Sequence, residues 1–133
     1  FGLLGSADFA AKLKESGRPV RIVINSDMIA AESFPDKLLW AVNVVFHKNS
    51  EALSKDVNVT SGKYVGLYAN SDSTGNNGLD SYPFYRENYK AISFKSNTDD
   101  PNNQTPDDIV SNYNFTYCML VTGVSCSFLV HND

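Results

Sequence analysis

The sequence predicts an α/β fold with three layers, a mainly parallel sheet covered by helices on both faces. Three observations carry this. Helical and strand patterns follow one another as helix, strand, strand, helix, strand, helix, and helices between strands favour parallel pairing. Residues 20–24 are a β-branched run of the kind found in strands buried on both faces. The chain closes on a long apolar helix with Tyr117, Leu120, Val121, Val124 and Phe128 at helical spacing.

The first helix is expected from Ser6, a good N-cap, with Asp8 in the favourable first turn. Phe9, Leu13 and the alanines between them form its apolar face, and Gly17 stops it. Residues 20–24 follow as the first strand. Residues 31–37 hold a proline and several charges and read as a loop. Trp40, Val42, Val44 and Phe46 alternate through a second strand over residues 39–47. A helix then runs from Ser50 to Tyr64. Residues 70–79 are dense in Ser, Asn, Asp and Gly and read as a loop, with a flexible turn from Gly75 to Gly78. A short helical turn is expected over 82–89, a third strand over 90–95 and a polar loop over 96–105. Pro106, Asp107 and Asp108 suit the first turn of a helix. The terminal helix is placed at 112–131. No internal repeat or low-complexity segment is present.

Composition bounds the function. At 133 residues the chain is one domain or part of one, and residues 1–133 are expected to form a single domain. A net charge of −4, with eleven scattered Lys and Arg, excludes the basic stripe that a nucleic-acid partner requires. No apolar run reaches the length of a membrane span. Cys118 and Cys126, on one helix, would stand about 12 Å apart along its axis, too far for a mutual disulfide, and read as small buried hydrophobes. His47 and His131 have no second His or Cys at ligand spacing and read as solvent-facing or satisfied structural residues. No nucleophile elbow or phosphate loop occurs. Asp99, Asp100, Asp107 and Asp108 fit no calcium-loop spacing and read as solvated loop and helix-start charges. The three Asn-x-Thr sequons at Asn58, Asn103 and Asn114 read as chance in a chain rich in Asn and Thr.

The strongest local signal is a hydrophobic strand that ends in a carboxylate, Ile24-Asn-Ser-Asp27-Met-Ile. It stands about twenty residues after Gly2-Leu-Leu-Gly-Ser6. Later come Gly78-Leu-Asp80-Ser-Tyr-Pro-Phe84, the strand Lys90-Ala-Ile-Ser-Phe94 and Gln104-Thr-Pro-Asp-Asp108. In this order the blocks resemble the co-catalytic zinc aminopeptidases of the bacterial leucine aminopeptidase type. Glutaminyl cyclases and the transferrin receptor ectodomain share that fold. Phe1-Gly-Leu-Leu-Gly-Ser6 is similar to the end of the family's Glu-Glu-x-Gly-Leu-x-Gly-Ser segment. Residues 78–84 are similar to its Ser-Asp-His-x-x-Phe, and residues 104–108 to its His-Thr-x-x-Asp loop.

The resemblance implies a partial aminopeptidase-like fold, the C-terminal part of such a domain, with further strands and ligands before Phe1. It implies a zinc metallo-exopeptidase acting on peptides, in which two cations acidify a water and polarise the scissile carbonyl. Asp27 matches a metal-ligand position. Gln104 stands where the family has its last ligating His, and Ser81 where it has the His after Asp80. A neutral amide oxygen is a poor zinc ligand beside an imidazole, so the zinc site of this chain is expected to be incomplete and hydrolysis impaired or absent. The alternative is a non-catalytic pseudopeptidase kept for protein binding or assembly. Asp80, Ser81, Tyr82 and Phe84 are expected to border the substrate pocket. The location implied is secreted, periplasmic or extracellular. Where strands are lacking, an exposed sheet edge favours self-association.

Overall fold

The computed structural model describes residues 2–32, 34–74 and 77–133. Phe1 of the first block, Ser33 of the 31–37 loop, and Gly75 and Asn76 of the expected turn lie outside the described residues. The elements are α1 (Leu4–Glu15), β1 (Val23–Ser26), β2 (Ala41–Phe46), α2 (Glu51–Tyr64), β3 (Tyr68–Asp72), α3 (Ser81–Arg86), β4 (Ala91–Ser96) and α4 (Phe115–His131). Short 3₁₀ turns at Lys37–Leu39, Lys48–Ser50 and Val110–Asn112 join them.

Among the described residues the strands form one sheet in the order β1-β4-β2-β3. β1 runs parallel to β4 and β2 parallel to β3, while β2 and β4 pair antiparallel. The expected mainly parallel, helix-covered sheet is therefore the one observed, with one antiparallel joint at its centre.

The two faces differ in chemistry. One presents Val42, Val44, Phe46, Ile92 and Phe94 to α2 and α4, and with Val57, Tyr117, Val121, Val124 and Phe128 this makes the main core. The other carries a smaller cluster of Ala10, Phe84 and Ala91, backed by Leu13, Val23 and Tyr89, beneath α1 and α3. Alternation through β1 and β4 sends successive side chains to opposite faces, Ile24, Ile92 and Phe94 to the main core and Val23 and Ala91 to the smaller cluster.

Several expectations are corrected. α1 begins before Ser6: Leu3 caps it in the left-handed region at φ 50°, and the Ser6 hydroxyl donates to the Leu3 carbonyl at 3.0 Å. Asp8 falls past the first turn and pairs with Lys12 at 2.7 Å. Gly17 does end the helix, at φ 64°, a conformation that costs glycine little. Phe9 is mostly exposed, although its ring meets Phe84 of α3 edge-on at 6.0 Å. β1 starts three residues later than expected and is half-buried, because it is an edge strand with one neighbour.

β3 lies where a loop was expected. Its residues Tyr-Ala-Asn-Ser-Asp have weak strand preference. Parallel pairing of Tyr68–Asp72 with Ala41–Val45 holds it extended. Residues 106–108 open no helix. The Asp108 carboxylate accepts from the Gln104 N–H at 3.0 Å, and α4 begins later behind Asn114, whose side chain accepts from the Tyr117 N–H at 3.0 Å. Of the cysteines, Cys126 is exposed and Cys118 half-buried, since the helix face carrying them is not the one packed on the sheet.

Candidate functional site

Asp27 follows the last residue of β1, at the carboxyl end of the strand. Its N–H still donates to the Phe94 carbonyl at 3.0 Å, so the strand end is anchored to β4. Met28 then turns the chain through the left-handed region at φ 53°. The following residues are tied down from three sides. The Met28 carbonyl accepts from the Ser96 N–H at 3.0 Å, the Ala30 carbonyl from the Asn114 N–H at 2.9 Å, and the Ala31 carbonyl from the Thr98 hydroxyl at 3.1 Å. Asn103 reaches across to the Met28 sulfur at 3.1 Å.

That contact joins the strand end bearing Asp27 to the loop bearing Gln104. Gln104 is exposed, itself left-handed at φ 61°, and its N–H is held by Asp108. The segments of the two residues are thus neighbours at one end of the sheet. Ligands in open α/β sheets bind at the carboxyl ends of strands, which is where Asp27 stands.

The expected pocket residues separate. Ser81 is buried and accepts from the Ser93 hydroxyl at 2.6 Å, while Asn25 donates to Ser93 at 3.3 Å. This polar chain lies under α3 on the sheet face that carries Asn25, two residues before Asp27. Phe84 packs in the smaller core and Asp80 is exposed at the start of α3. Tyr82 and Pro83 line a cleft of about 320 Å³ with Gly2, Leu3, Ala7, Asn77, Arg86 and Glu87. The Gly2–Ser6 block and the Asp80–Phe84 block, far apart in sequence, therefore border one cleft.

Sequence reasoning missed His47. It is neither solvent-facing nor satisfied: it is 7 % exposed, and among the described residues its buried Nε2 has no hydrogen-bond partner. Its ring stacks on Tyr85 at 4.3 Å and 10°, and lies 5.4 Å from the ring of Tyr82. Burial lowers its pKa from the ordinary histidine value. The sequence offers one signal, the two tyrosines Tyr82 and Tyr85 close together in the α3 segment, and it does not name the partner.

The donor set decides what could be held here. Among the described residues no three His, Cys, Asp or Glu side chains group to hold a metal ion. Asp27 offers one carboxylate and Gln104 a neutral amide, so these residues alone do not fit a zinc pair.

The fold and site define an α/β/α domain with a carboxylate at the working end of its sheet. Residues 1–124 match peptidase family M28, and the chain belongs to that family. No curated protein sequence matches it. Among solved structures, the chain is similar to the LapA aminopeptidase of Legionella pneumophila, with 18 % identity, TM-score 0.83, and coverage of 97 % of this chain and 35 % of that one. It is also similar to BSAP, a zinc aminopeptidase from Bacillus subtilis (16 % identity, TM-score 0.79, 98 % and 33 % coverage). A third is the aminopeptidase from Aneurinibacillus sp. strain AM-1 (19 % identity, TM-score 0.74, 96 % and 30 % coverage). At these identities the likeness shows the fold. The chain spans about a third of the length of these proteins.

Proposed function

We propose that residues 1–133 form the C-terminal part of a zinc metallo-exopeptidase of the aminopeptidase kind, with an incomplete ligand set. Asp27 is the retained ligand carboxylate, and Gln104 stands where an imidazole would coordinate. The remaining donors and the general base would come from outside residues 1–133. The substrate class is peptides with a free N-terminus, approached along the Gly2–Tyr82 cleft. The observation that carries the reading is the junction of the Asp27 strand end with the Gln104 loop through Met28 and Asn103. Because the donors present do not fit a metal pair, no hydrolytic step is assigned to them, and hydrolysis is impaired or lost. The location that goes with this reading is secreted, periplasmic or extracellular.

A non-catalytic role in protein binding is favoured by one specific observation. The hydroxyl of Ser81, at the family's His position, is engaged inside the fold by Ser93. Fold alone does not choose between the two.

The test is zinc stoichiometry and hydrolysis of amino-acid anilides by the protein as its gene encodes it. At most one zinc per chain is expected. Asp27→Asn should abolish it, and Gln104→His should raise occupancy. Two tightly held zinc ions in the natural protein, with full hydrolysis, would refute the reading of Gln104. Full hydrolysis by Asp27→Asn would refute the reading of Asp27.

A further inference from the structure

The strand end that bears Asp27 has a cation beside it. Along β4, Ile92 and Phe94 turn into the main core, so Ser93 and Lys95 stand on the opposite face. Asn25 pairs with Ser93 in register and donates to its hydroxyl, which puts Asn25 on that same face of β1. The parallel ladder then takes one more step. The Asp27 N–H donates to the Phe94 carbonyl as the Val23 N–H does to the Lys90 carbonyl. Asp27 and Lys95 are therefore neighbours on adjacent strands, whose backbones lie about 4.8 Å apart.

The row continues with Asn43, opposite Lys95 on β2, and Asn70, opposite Asn43 on β3. These amides are engaged elsewhere. Asn70 donates to the side-chain oxygens of Asn43 and Asn97 at 3.2 and 2.9 Å, and Asn43 donates to the Ser96 carbonyl at 3.5 Å. The Lys95 side chain is only 25 % exposed. Among the described residues its ion-pair partner is Asp99, at 3.7 Å, a carboxylate standing wholly in water. A partner so exposed offsets little of the charge. A cation covered to this degree is also screened less by salt than one at the surface.

We propose that Lys95 sets the metal affinity of the Asp27 carboxylate: it is a fixed cation in the same row, which repels a divalent ion held there. This rests on the reading of Asp27 as the retained ligand, and adds a second cause of a weak site. Gln104 withholds a donor, whereas Lys95 brings a like charge. The two lie on different segments and act separately, so an imidazole at position 104 does not by itself make the site tight.

Zinc affinity of the protein as its gene encodes it, measured by competition with a chromophoric chelator, tests this. Lys95→Met keeps a long unbranched stem and removes the charge. It should bind zinc at least ~10-fold more tightly than the natural protein, since unit and double charges a few ångströms apart interact strongly even near a surface. Asp27→Asn in the Lys95→Met background should undo the gain. Lys95→Gln, polar like its neighbours in the row, should show the same gain, and Lys95→Arg, which keeps the charge, should show none. Lys63→Met, exposed on α2, should change affinity less than about twofold, because a remote surface charge is screened. Adding Lys95→Met to Gln104→His should tighten zinc beyond Gln104→His alone. Equal zinc binding by the natural protein, Lys95→Met and Lys95→Gln would overturn the proposal, including the case in which none of them holds zinc. So would a gain that survives Asp27→Asn, which would place the ion elsewhere. If Asp27→Asn weakens zinc in the natural protein while Lys95→Met changes nothing, Asp27 stands as a ligand and the role of Lys95 alone falls. If neither substitution has an effect, the reading of Asp27 falls with it.

Discussion

Removing the hydroxyl of Tyr117 should lower stability by about 1.5 kcal/mol without disturbing the core. Tyr117 is fully buried on α4, and its hydroxyl donates to the Ala41 carbonyl at 2.6 Å. That bond pins the terminal helix to the first residue of β2, 76 positions earlier in the chain. Burial holds the phenol protonated, its pKa pushed up to about 12, with the Ser96 and Asn97 contacts opposing that rise. Tyr117→Phe keeps the ring and its edge contact with Trp40, whose centroid lies 5.8 Å away. What goes is the buried hydrogen bond to the Ala41 carbonyl, together with the Ser96 and Asn97 contacts of the same hydroxyl. A net bond is worth about 1 kcal/mol, and an unsatisfied acceptor adds to the loss. Unfolding entropy of about 2.1 cal/mol/K per residue over 133 residues gives about 0.28 kcal/mol/K. The melting temperature should therefore fall by about 5 °C. Urea unfolding is the assay: the midpoint should drop by about 1 M at an unchanged slope near 1.5 kcal/mol/M. An unchanged midpoint would show that the hydroxyl carries no net stability. A changed slope would show that the variant alters more than one bond.

Three further outcomes are expected. Because burial keeps His47 neutral when folded, the unfolded chain binds the proton first. His47 therefore contributes stability above the ordinary histidine pKa that is lost as pH falls below it. His47→Phe should flatten the denaturation midpoint between pH 8 and 5.5, and an equal pH slope in both proteins would refute this. Phe128→Ala, at a fully buried core position, should cost about 3–5 kcal/mol by equilibrium unfolding. Gly66 stands at φ 77° after α2, with open space where a Cβ would go. Gly66→Ala should then cost about 1 kcal/mol from backbone conformation alone, and a stabilised variant in thermal melts would contradict that.

The sequence made the main core legible and hid the edges of the sheet. Val42, Val44 and Phe46 alternate because they share the face of β2 that packs in the main core. The spacing of Tyr117, Val121, Val124 and Phe128 was as plain, since one helix face does all the burying. β3 was illegible because Asn70, Ser71 and Asp72 are turn-formers in isolation. Only the partner strand makes them extended, and pairing partners are not written locally. Asp27 was legible as a strand-end acid. The contact of Met28 with Asn103 that joins it to the Gln104 loop was not, because it links residues 75 positions apart. His47 was misread for a related reason: nothing near it in sequence announces that α3 will close over its ring.

The difference between the two sheet faces bears on what the family scaffold keeps here. The polar groups buried on the apolar face are hydroxyls, among them Ser54, Ser61, Ser96 and Tyr117, each with a nearby hydrogen-bond partner. The opposite face places Asn25, Ser93 and Ser81 in one hydrogen-bonded chain, and Asn43, Asn70 and Asn97 in another. Buried polar groups cost free energy unless fully partnered, and apolar side chains of similar size would hold the layers together as well. Such a face specifies where α3 and the 97–108 loop sit more than it stabilises them. Those are the elements that border the Tyr82 cleft and the Asp27 strand end. The chain thus fixes the surroundings of the Asp27 strand end and of the Gln104 loop firmly. Replacing Ser93 by Ala is the change that separates these roles: it should loosen α3 and the cleft, seen as faster amide exchange there, while leaving the α2–α4 core protected.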